Sequence, residues 1–365
     1  MRRIRVLIVD DSVVIRRLLT DILSKDPEIE VVGIAANGRI ALQKLQQVNP
    51  DLVTLDIEMP ELDGLATLPL LRKDYPKLPV IMFSTLTERG AVATIEALAR
   101  GATDYVAKPA NVGSVAAGME YVRVQLIPKI KSLCPFNIPA TLVARPTSST
   151  SKPTSVQPIN RVQRCDAVVI GASTGGPQAL TTVIKRLPAD FPVPIVIVQH
   201  MPPVFTRHLA NRLNQECTLE VREASAGETL RAGEVLIAPG DFHLEIQRQG
   251  VSIKTVLNQG PPENSCRPAI DVLFRSAAKV YGPGLQAVVL TGMGQDGKRG
   301  AESIVQAGGT VIAQDEDSSV VWGMPRAVAE AGLASKVVAL QAIPDELLRR
   351  VAVARHLKLA LERIS

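Results

Sequence analysis

Over residues 4–130, short apolar runs alternate with longer stretches whose apolar positions recur at helical spacing. Residues 5–9, 30–35, 52–55, 80–83 and 104–107 predict strands, and residues 15–24 and 91–99 are examples of the helices between them. Strands alternating with helices imply parallel βαβ units. Five such units make a flavodoxin-like (βα)5 domain with its site at the carboxyl edge of the sheet. From about residue 132 to 164 the pattern stops, and the run ARPTSSTSKPTSVQP, rich in Pro, Ser and Thr, reads as a linker. Alternation resumes over 166–342, with strands expected at 167–170, 195–199 and 287–291 and helices at 178–187, 205–213 and 270–280. Three closely spaced runs, 235–238, 243–247 and 252–256, suggest an antiparallel patch on an otherwise doubly wound, mostly parallel α/β sheet. Residues 344–364 are amphipathic and predict a last helix. The expected division is 1–130, a linker at 131–164, and 165–365.

The length of 365 residues agrees with two domains. Hydrophobic residues at 46% give each block a core, while aromatics at 3% leave little for stacking bases or sugars. The net charge of +5 is spread along the chain rather than gathered on one face, so no nucleic-acid partner is expected. Cys134, Cys165, Cys217 and Cys266 form no CxxC pair and no zinc spacing, which suits reduced thiols in a cytoplasmic protein. The opening apolar run meets Asp10 and Asp11 too soon for a signal peptide, and no run reaches the roughly 18 apolar residues of a membrane span. A soluble, cytoplasmic chain that is not membrane-inserted is the expectation.

Asp10 and Asp11 follow the first strand, VLIVDD, and Asp56 follows the third, LVTLD. In the flavodoxin-like strand order these carboxyl ends meet. Three carboxylates in one pocket repel one another and invite Mg²⁺, which prefers oxygen ligands. Ser84 ends the fourth strand and Lys108 ends the fifth, where a hydroxyl and an ammonium can contact a phosphoryl group on Asp56. With these residues the segment 3–125 resembles the response-regulator receiver family. The resemblance implies that Asp56 accepts a phosphoryl group from a histidine kinase. It also implies that Asp10, Asp11, Asp56 and the backbone carbonyl of Glu58 hold Mg²⁺, and that Ser84 and Tyr105 move together on activation.

In the second block, DAVVIGASTGGPQAL reads strand, tight turn, helix, and residues 171–175 match GxSxG around Ser173. That motif exposes a serine on a sharp turn, leaves the next backbone N–H free for an oxyanion, and adds the favourable field of a helix N-terminus. The dinucleotide fingerprint would need Gly at 173. Of four histidines, His208 and His356 fall within helical patterns and read as surface or packing residues, while His243, after APGDF, remains possible. His200 ends the strand PIVIVQ and is the favoured base, with an ordinary pKa suited to proton transfer at neutral pH. Asp296, in LTGMGQDG, is the favoured orienting carboxylate; Asp315 and Asp317 are weaker. The order Ser, His, Asp differs from that of α/β-hydrolases.

The motifs VVIGASTGGP, IVQHMP, APG with its following histidine, CRPAIDVLFRSAA, LTGMGQDG and VVWGMPRAVAEAG together resemble CheB-type protein-glutamate methylesterases, which also deamidate glutamine. The resemblance spans nearly the whole chain. It implies Ser173 as nucleophile, His200 as base, Asp296 as its orienter, Thr174 assisting at the turn and the Met293 N–H in the oxyanion hole. The implied reaction is hydrolysis of glutamyl methyl esters on methyl-accepting chemoreceptors, with methanol released and no cofactor for the esterase chemistry. A CheA-type kinase would be the phosphodonor, and the unphosphorylated receiver would obstruct the site. Cys266 stands where His is expected before Arg-Pro in many relatives; as a rival nucleophile it has no histidine in its own motif. Other readings are the same chemistry on an array serving a process other than chemotaxis, a DNA-binding response regulator, and a nucleotide-binding output module without catalysis. The second lacks a compact basic helix-turn-helix.

Overall fold

The structure, a computed structural model, describes residues 2–108, 115–135 and 165–362. Its first block runs β1 (Ile4–Val9), α1 (Val13–Leu23), β2 (Ile29–Ala35), α2 (Gly38–Val48), β3 (Leu52–Asp56), α3 (Gly64–Asp74), β4 (Val80–Ser84), α4 (Glu88–Ala99), β5 (Asp104–Ala107) and α5 (Val115–Leu133). The five strands are all parallel, in the order β2-β1-β3-β4-β5. Helices α1 to α4 start where a side chain can accept from the first turn: Ser12, Asn37, Asp63 and Thr87 cap them in that order. These caps explain why α1 and α4 begin before the expected 15 and 91. Helix α5 passes the expected domain end at 130 and continues to Leu133, and residues 136–164 of the expected linker lie outside the described residues.

The second block runs β6 (Ala167–Ala172), α6 (Gly176–Ile184), β7 (Ile195–Gln199), α7 (Phe205–Glu216), β8 (Glu220–Glu223), β9 (Glu234–Ile237), β10 (His243–Gln249), β11 (Ser252–Asn258), α8 (Ile270–Tyr281), β12 (Leu285–Val289), α9 (Lys298–Gln306), β13 (Thr310–Gln314), α10 (Met324–Glu330), β14 (Lys336–Val338) and α11 (Ile343–Glu362). Seven strands form one parallel sheet in the order β14-β13-β12-β6-β7-β9-β8. The chain leaves β6 outward through β7 on one side and returns through β12 on the other. The carboxyl ends of these three strands therefore border the switch-point crevice.

One expectation fails. Residues 235–238 do not join an antiparallel patch; the first three fall in β9, whose residues are all buried and which pairs in parallel with β7 and β8. Burial on both faces suits a parallel strand covered by helices. The neighbouring β8, with sequence EVRE, is too polar to be read as a strand. The antiparallel part is a separate two-stranded sheet, β10 with β11. It packs on α8, with Leu244 and Ile246 buried and the Ile246 N–H donating to Ser276 Oγ at 3.0 Å.

Alternation along β6 divides the core of this block. Ala167 and Val169 face the cluster made with α8, α9 and α10, while Val168, Ile170 and Ala172 face the side of α6 and α7. That second cluster does not stop at the domain edge. Leu98 and Tyr105 of the first block belong to the same buried cluster as Leu180 and Phe205 of the second. Ile343, Leu347 and Val351 bury one face of α11, as its amphipathic pattern predicts.

Candidate active site

In the first block the expected acidic residues converge. Asp10, Asp11 and Asp56 bring oxygens within 4.8 Å of one another, beside a pocket of about 210 Å³ also lined by Glu58, Ser84 and Lys108. Lys108 Nζ lies 2.8 Å from Asp56 Oδ1 and 3.0 Å from Asp10 Oδ2. Burial, working against the Lys108 contact, pushes Asp56 up to about 6. Asp10 Oδ2 is buried with the Lys108 ion-pair contact and no hydrogen bond. An acid cluster with a spare buried oxygen fits a hard divalent cation. Ser84 Oγ donates to the Gly90 carbonyl at 3.2 Å, linking this pocket to α4. Tyr105 points the other way, with its ring stacked on Phe205 of the second block at 4.9 Å and 10°.

In the second block, Ser173 sits one residue past β6, and its N–H donates to the Thr291 carbonyl at 3.0 Å. Two close approaches shape the turn. Gly175 has φ +76°, and a Cβ at Gly292 would lie 2.7 Å from the Ser173 Cβ, so only glycine lets the loop after β12 pass the serine. His200 follows β7, with its N–H on the Ala172 carbonyl at 3.1 Å, and Gln199 Nε2 donates to the Ser173 carbonyl at 3.0 Å. The ends of β6 and β7 are thus tied together.

His200 Nε2 donates to Asp296 Oδ2 at 2.8 Å. Asp296 is 2% exposed and also accepts from the N–H groups of Ile270 at 2.7 Å and Asp271 at 3.1 Å, the opening residues of α8. The Gly297 N–H adds a bond at 2.9 Å. Burial raises the Asp296 pKa, but the His200 bond and charge, with the helix N–H groups, outweigh it and hold the group down at about 2. Burial lowers His200, and Asp296 and Cys266 together overcome that to push it up to about 10, so the ordinary pKa expected from the sequence does not hold in this arrangement.

The backbone N–H groups of Thr174 and Met293 make no hydrogen bond among the described residues, and Met293 is 37% exposed. No hydrogen bond joins the Ser173 hydroxyl to His200 among the described residues; Cys266 Sγ instead lies 3.5 Å from His200 Nδ1. The motif around Cys266 holds no histidine, yet the fold sets its thiol beside His200. The fold brings together residues 66 apart, which the motif around Cys266 cannot display.

The remaining candidates have other duties. His243 is buried, donates through Nε2 to the Pro261 carbonyl at 3.0 Å and accepts at Nδ1 from the Ala269 N–H at 3.3 Å. His208 pairs with Glu88 of the first block at 2.8 Å. Asp315 accepts from Ser318 Oγ at 2.6 Å, while Asp317 is exposed.

Sequence reasoning missed the contacts between the blocks. Thr174 Oγ1 donates to Asp104 Oδ2 at 2.8 Å, and Lys129 Nζ donates to the same oxygen at 2.6 Å. Gln178 Nε2 donates to the carbonyls of Leu98 at 2.9 Å and Ala102 at 2.6 Å. Arg207 joins His208 on Glu88, and Arg212 reaches Glu96 at 2.6 Å. Only Tyr105 among the first-block partners carried any sequence signal.

Comparisons with known proteins agree with both blocks. Residues 168–347 match the CheB methylesterase family and residues 6–119 match the response regulator receiver domain. A protein from Nocardioides sp. named protein-glutamate methylesterase/protein-glutamine glutaminase is 55% identical over 356 residues, 96% of each chain. A protein of the same name from Trichodesmium erythraeum is 52% identical over 353 residues, 96% of this chain and 100% of its own. The crystal structure of the Thermotoga maritima CheB methylesterase catalytic domain is 47% identical, covers 51% of this chain and 98% of that one, and superimposes with a TM-score of 0.50.

Proposed function

This chain belongs to the CheB methylesterase family of hydrolases and carries a response-regulator receiver domain, and from that premise we propose that it demethylates and deamidates glutamyl side chains of chemoreceptors under phosphorylation control. The proposed division is a receiver at 1–130, extended by α5 to Leu133, a linker to 164 and a catalytic domain at 165–365.

Ser173 is the nucleophile. The observation that carries this reading is the His200–Asp296 pair at 2.8 Å, set beside Ser173 at the carboxyl edge of one sheet. Because Nε2 is engaged by Asp296, Nδ1 takes the serine proton, and for this it exchanges Cys266 Sγ for Ser173 Oγ. The oxygen of the attacked glutamyl carbonyl becomes an oxyanion held by the unpaired N–H groups of Thr174 and Met293. His200 returns its proton to the leaving methanol or ammonia, an acyl-enzyme remains, and water releases it by the reverse transfer. No cofactor is needed for these steps.

In the receiver, Asp10, Asp11, Asp56 and the carbonyl of Glu58 would hold Mg²⁺, which offsets negative charge as the phosphoryl group moves from a CheA-type histidine kinase to Asp56. Lys108 and Ser84 contact that group. Drawing Ser84 toward it frees Tyr105 from Phe205, and the bond from Thr174 to Asp104 is lost with the stack. In the resting arrangement that bond grips the residue whose N–H serves the oxyanion. Phosphorylation shifts the population toward the released form. No helix among the described residues is long and apolar enough to cross a membrane.

Methanol release from methylated receptor membranes tests the reading. Wild type should release it, faster with a phosphodonor, and Ser173→Ala should not. Release by wild type on chemotaxis-unrelated receptors alone would favour the same chemistry in another signalling array.

A further inference from the structure

Residues Glu263 to Cys266 form a closed turn beside the His200–Asp296 pair. The Glu263 N–H donates to the Cys266 carbonyl at 3.1 Å and the Cys266 N–H returns a bond to the Glu263 carbonyl at 2.8 Å. Its two central residues, Asn264 and Ser265, have φ of +51° and +62°. Asparagine tolerates that left-handed region better than most side chains. Arg275 of α8 anchors the turn by donating to Glu263 Oε2 at 2.9 Å.

The turn places one amide between two buried carboxylates. Asn264 Nδ2 donates to Asp296 Oδ1 at 2.9 Å and to Asp271 Oδ2 at 3.0 Å. Asp296 and Asp271 are 2% and 1% exposed. Two carboxylates so close in a dry site compete for one negative charge. Their remaining donors are unequal. Asp296 has His200 and three backbone N–H groups, whereas among the described residues Asp271 has only the Gly300 N–H at 2.7 Å. Burial pushes Asp271 up to about 6, while Asp296 stays low. The charged and titratable groups around the pair are His200 at the end of β7, Glu263 and Cys266 on the turn, and Arg275 on α8.

Building on the Ser-His-Asp reading, we infer that Asn264 is a positioning residue: its amide bridges Asp271 and Asp296 and keeps the negative charge on the carboxylate that orients His200. Among the described residues its amide makes no hydrogen bond to His200. Both of its amide hydrogens are committed, one to each carboxylate.

The experiment compares kcat, KM and pH profiles of the full-length, phosphodonor-activated chain on methylated receptor membranes. Asn264→Ala should lower kcat roughly tenfold or more, the scale of one lost hydrogen bond to a charged group, with KM little changed. The acid limb of its kcat/KM profile should move to lower pH, because a weaker Asp296 charge holds less of the imidazolium. A merely structural loss lowers the active fraction and leaves the limb in place. Asn264→Asp keeps the preference for the turn and swaps the donors for acceptors; it should be slower still at neutral pH. In an Asp271→Asn background the competing charge is gone, so Asn264→Ala should cost less than about threefold there. Equal cost in both backgrounds, or wild-type rate and profile in Asn264→Asp, would overturn the inference. If Asp296→Asn itself runs at the wild-type rate, the triad reading fails instead, so the two failures are distinguishable.

Discussion

Asp104→Ala should release the catalytic domain from its receiver without phosphorylation. Asp104 is buried, and its carboxylate makes contacts of two kinds. Its bonds with Lys129 Nζ and the Tyr105 N–H lie within the receiver and persist whether or not the domains are docked. Only the bond from Thr174 Oγ1, at 2.8 Å, exists solely in the docked state. A hydrogen bond to a charged group contributes about 1.5–3 kcal/mol, and every 1.4 kcal/mol is about tenfold in an equilibrium. Losing it should raise the ratio of released to docked molecules about 10-fold to 100-fold. The unphosphorylated rate should climb by that factor, up to the ceiling set by the phosphorylated wild type, whereas phosphorylated Asp104→Ala should match wild type. Glu88→Ala, which removes exposed contacts with Arg207 and His208, should raise the basal rate far less and lose its effect in high salt. The assay is initial methanol release at fixed receptor concentration, with circular dichroism and phosphoryl uptake verifying the receiver. A correctly folded, phosphorylatable Asp104→Ala with the wild-type basal rate would refute the argument that this bond holds the site closed.

Ser173→Ala, His200→Ala and Asp296→Asn should each reduce ester hydrolysis strongly, and combining them should cost little more than the worst single change. Near wild-type turnover in Asp296→Asn would remove it from that unit. Asp56→Asn should keep basal activity and lose all response to a phosphodonor; a retained response would place the acceptor elsewhere. Cys266 helps push His200 up, so Cys266→Ala should lower that pKa. A base works only when neutral, so the acid limb of kcat/KM should move to lower pH; an unmoved limb would show that the thiol contact is absent from the working enzyme. Ammonia release from glutamine-bearing receptors should vanish with methanol release in Ser173→Ala, and deamidation surviving that change would reveal two sites.

The parallel strands were legible because their apolar runs are short, repeated and bounded by turns. Ser173, His200 and Asp296 were legible because each follows such a run, and strand ends of one parallel sheet meet. What failed was polar or distant. The strand EVRE at β8 has too little apolar character to mark itself, and without it β9 seemed to belong to the nearby hairpin. Asn264 and Cys266 act through a turn whose geometry has no sequence period. Asp104 reads as an ordinary strand start; its partner Thr174 is 70 positions away, and nothing local joins them.

The stack of Tyr105 on Phe205 lies within a buried cluster that runs from one domain into the other without a break. Heat should therefore not see two domains in the resting protein. With part of the core shared between them, loss of one side exposes the other, and calorimetry should record one merged endotherm. A stable phosphoryl mimic on Asp56 that frees the stack should split it into two, each with its own midpoint. Switching activity on would then also remove the mutual support that each fold gives the other, leaving the working enzyme easier to melt than the idle one.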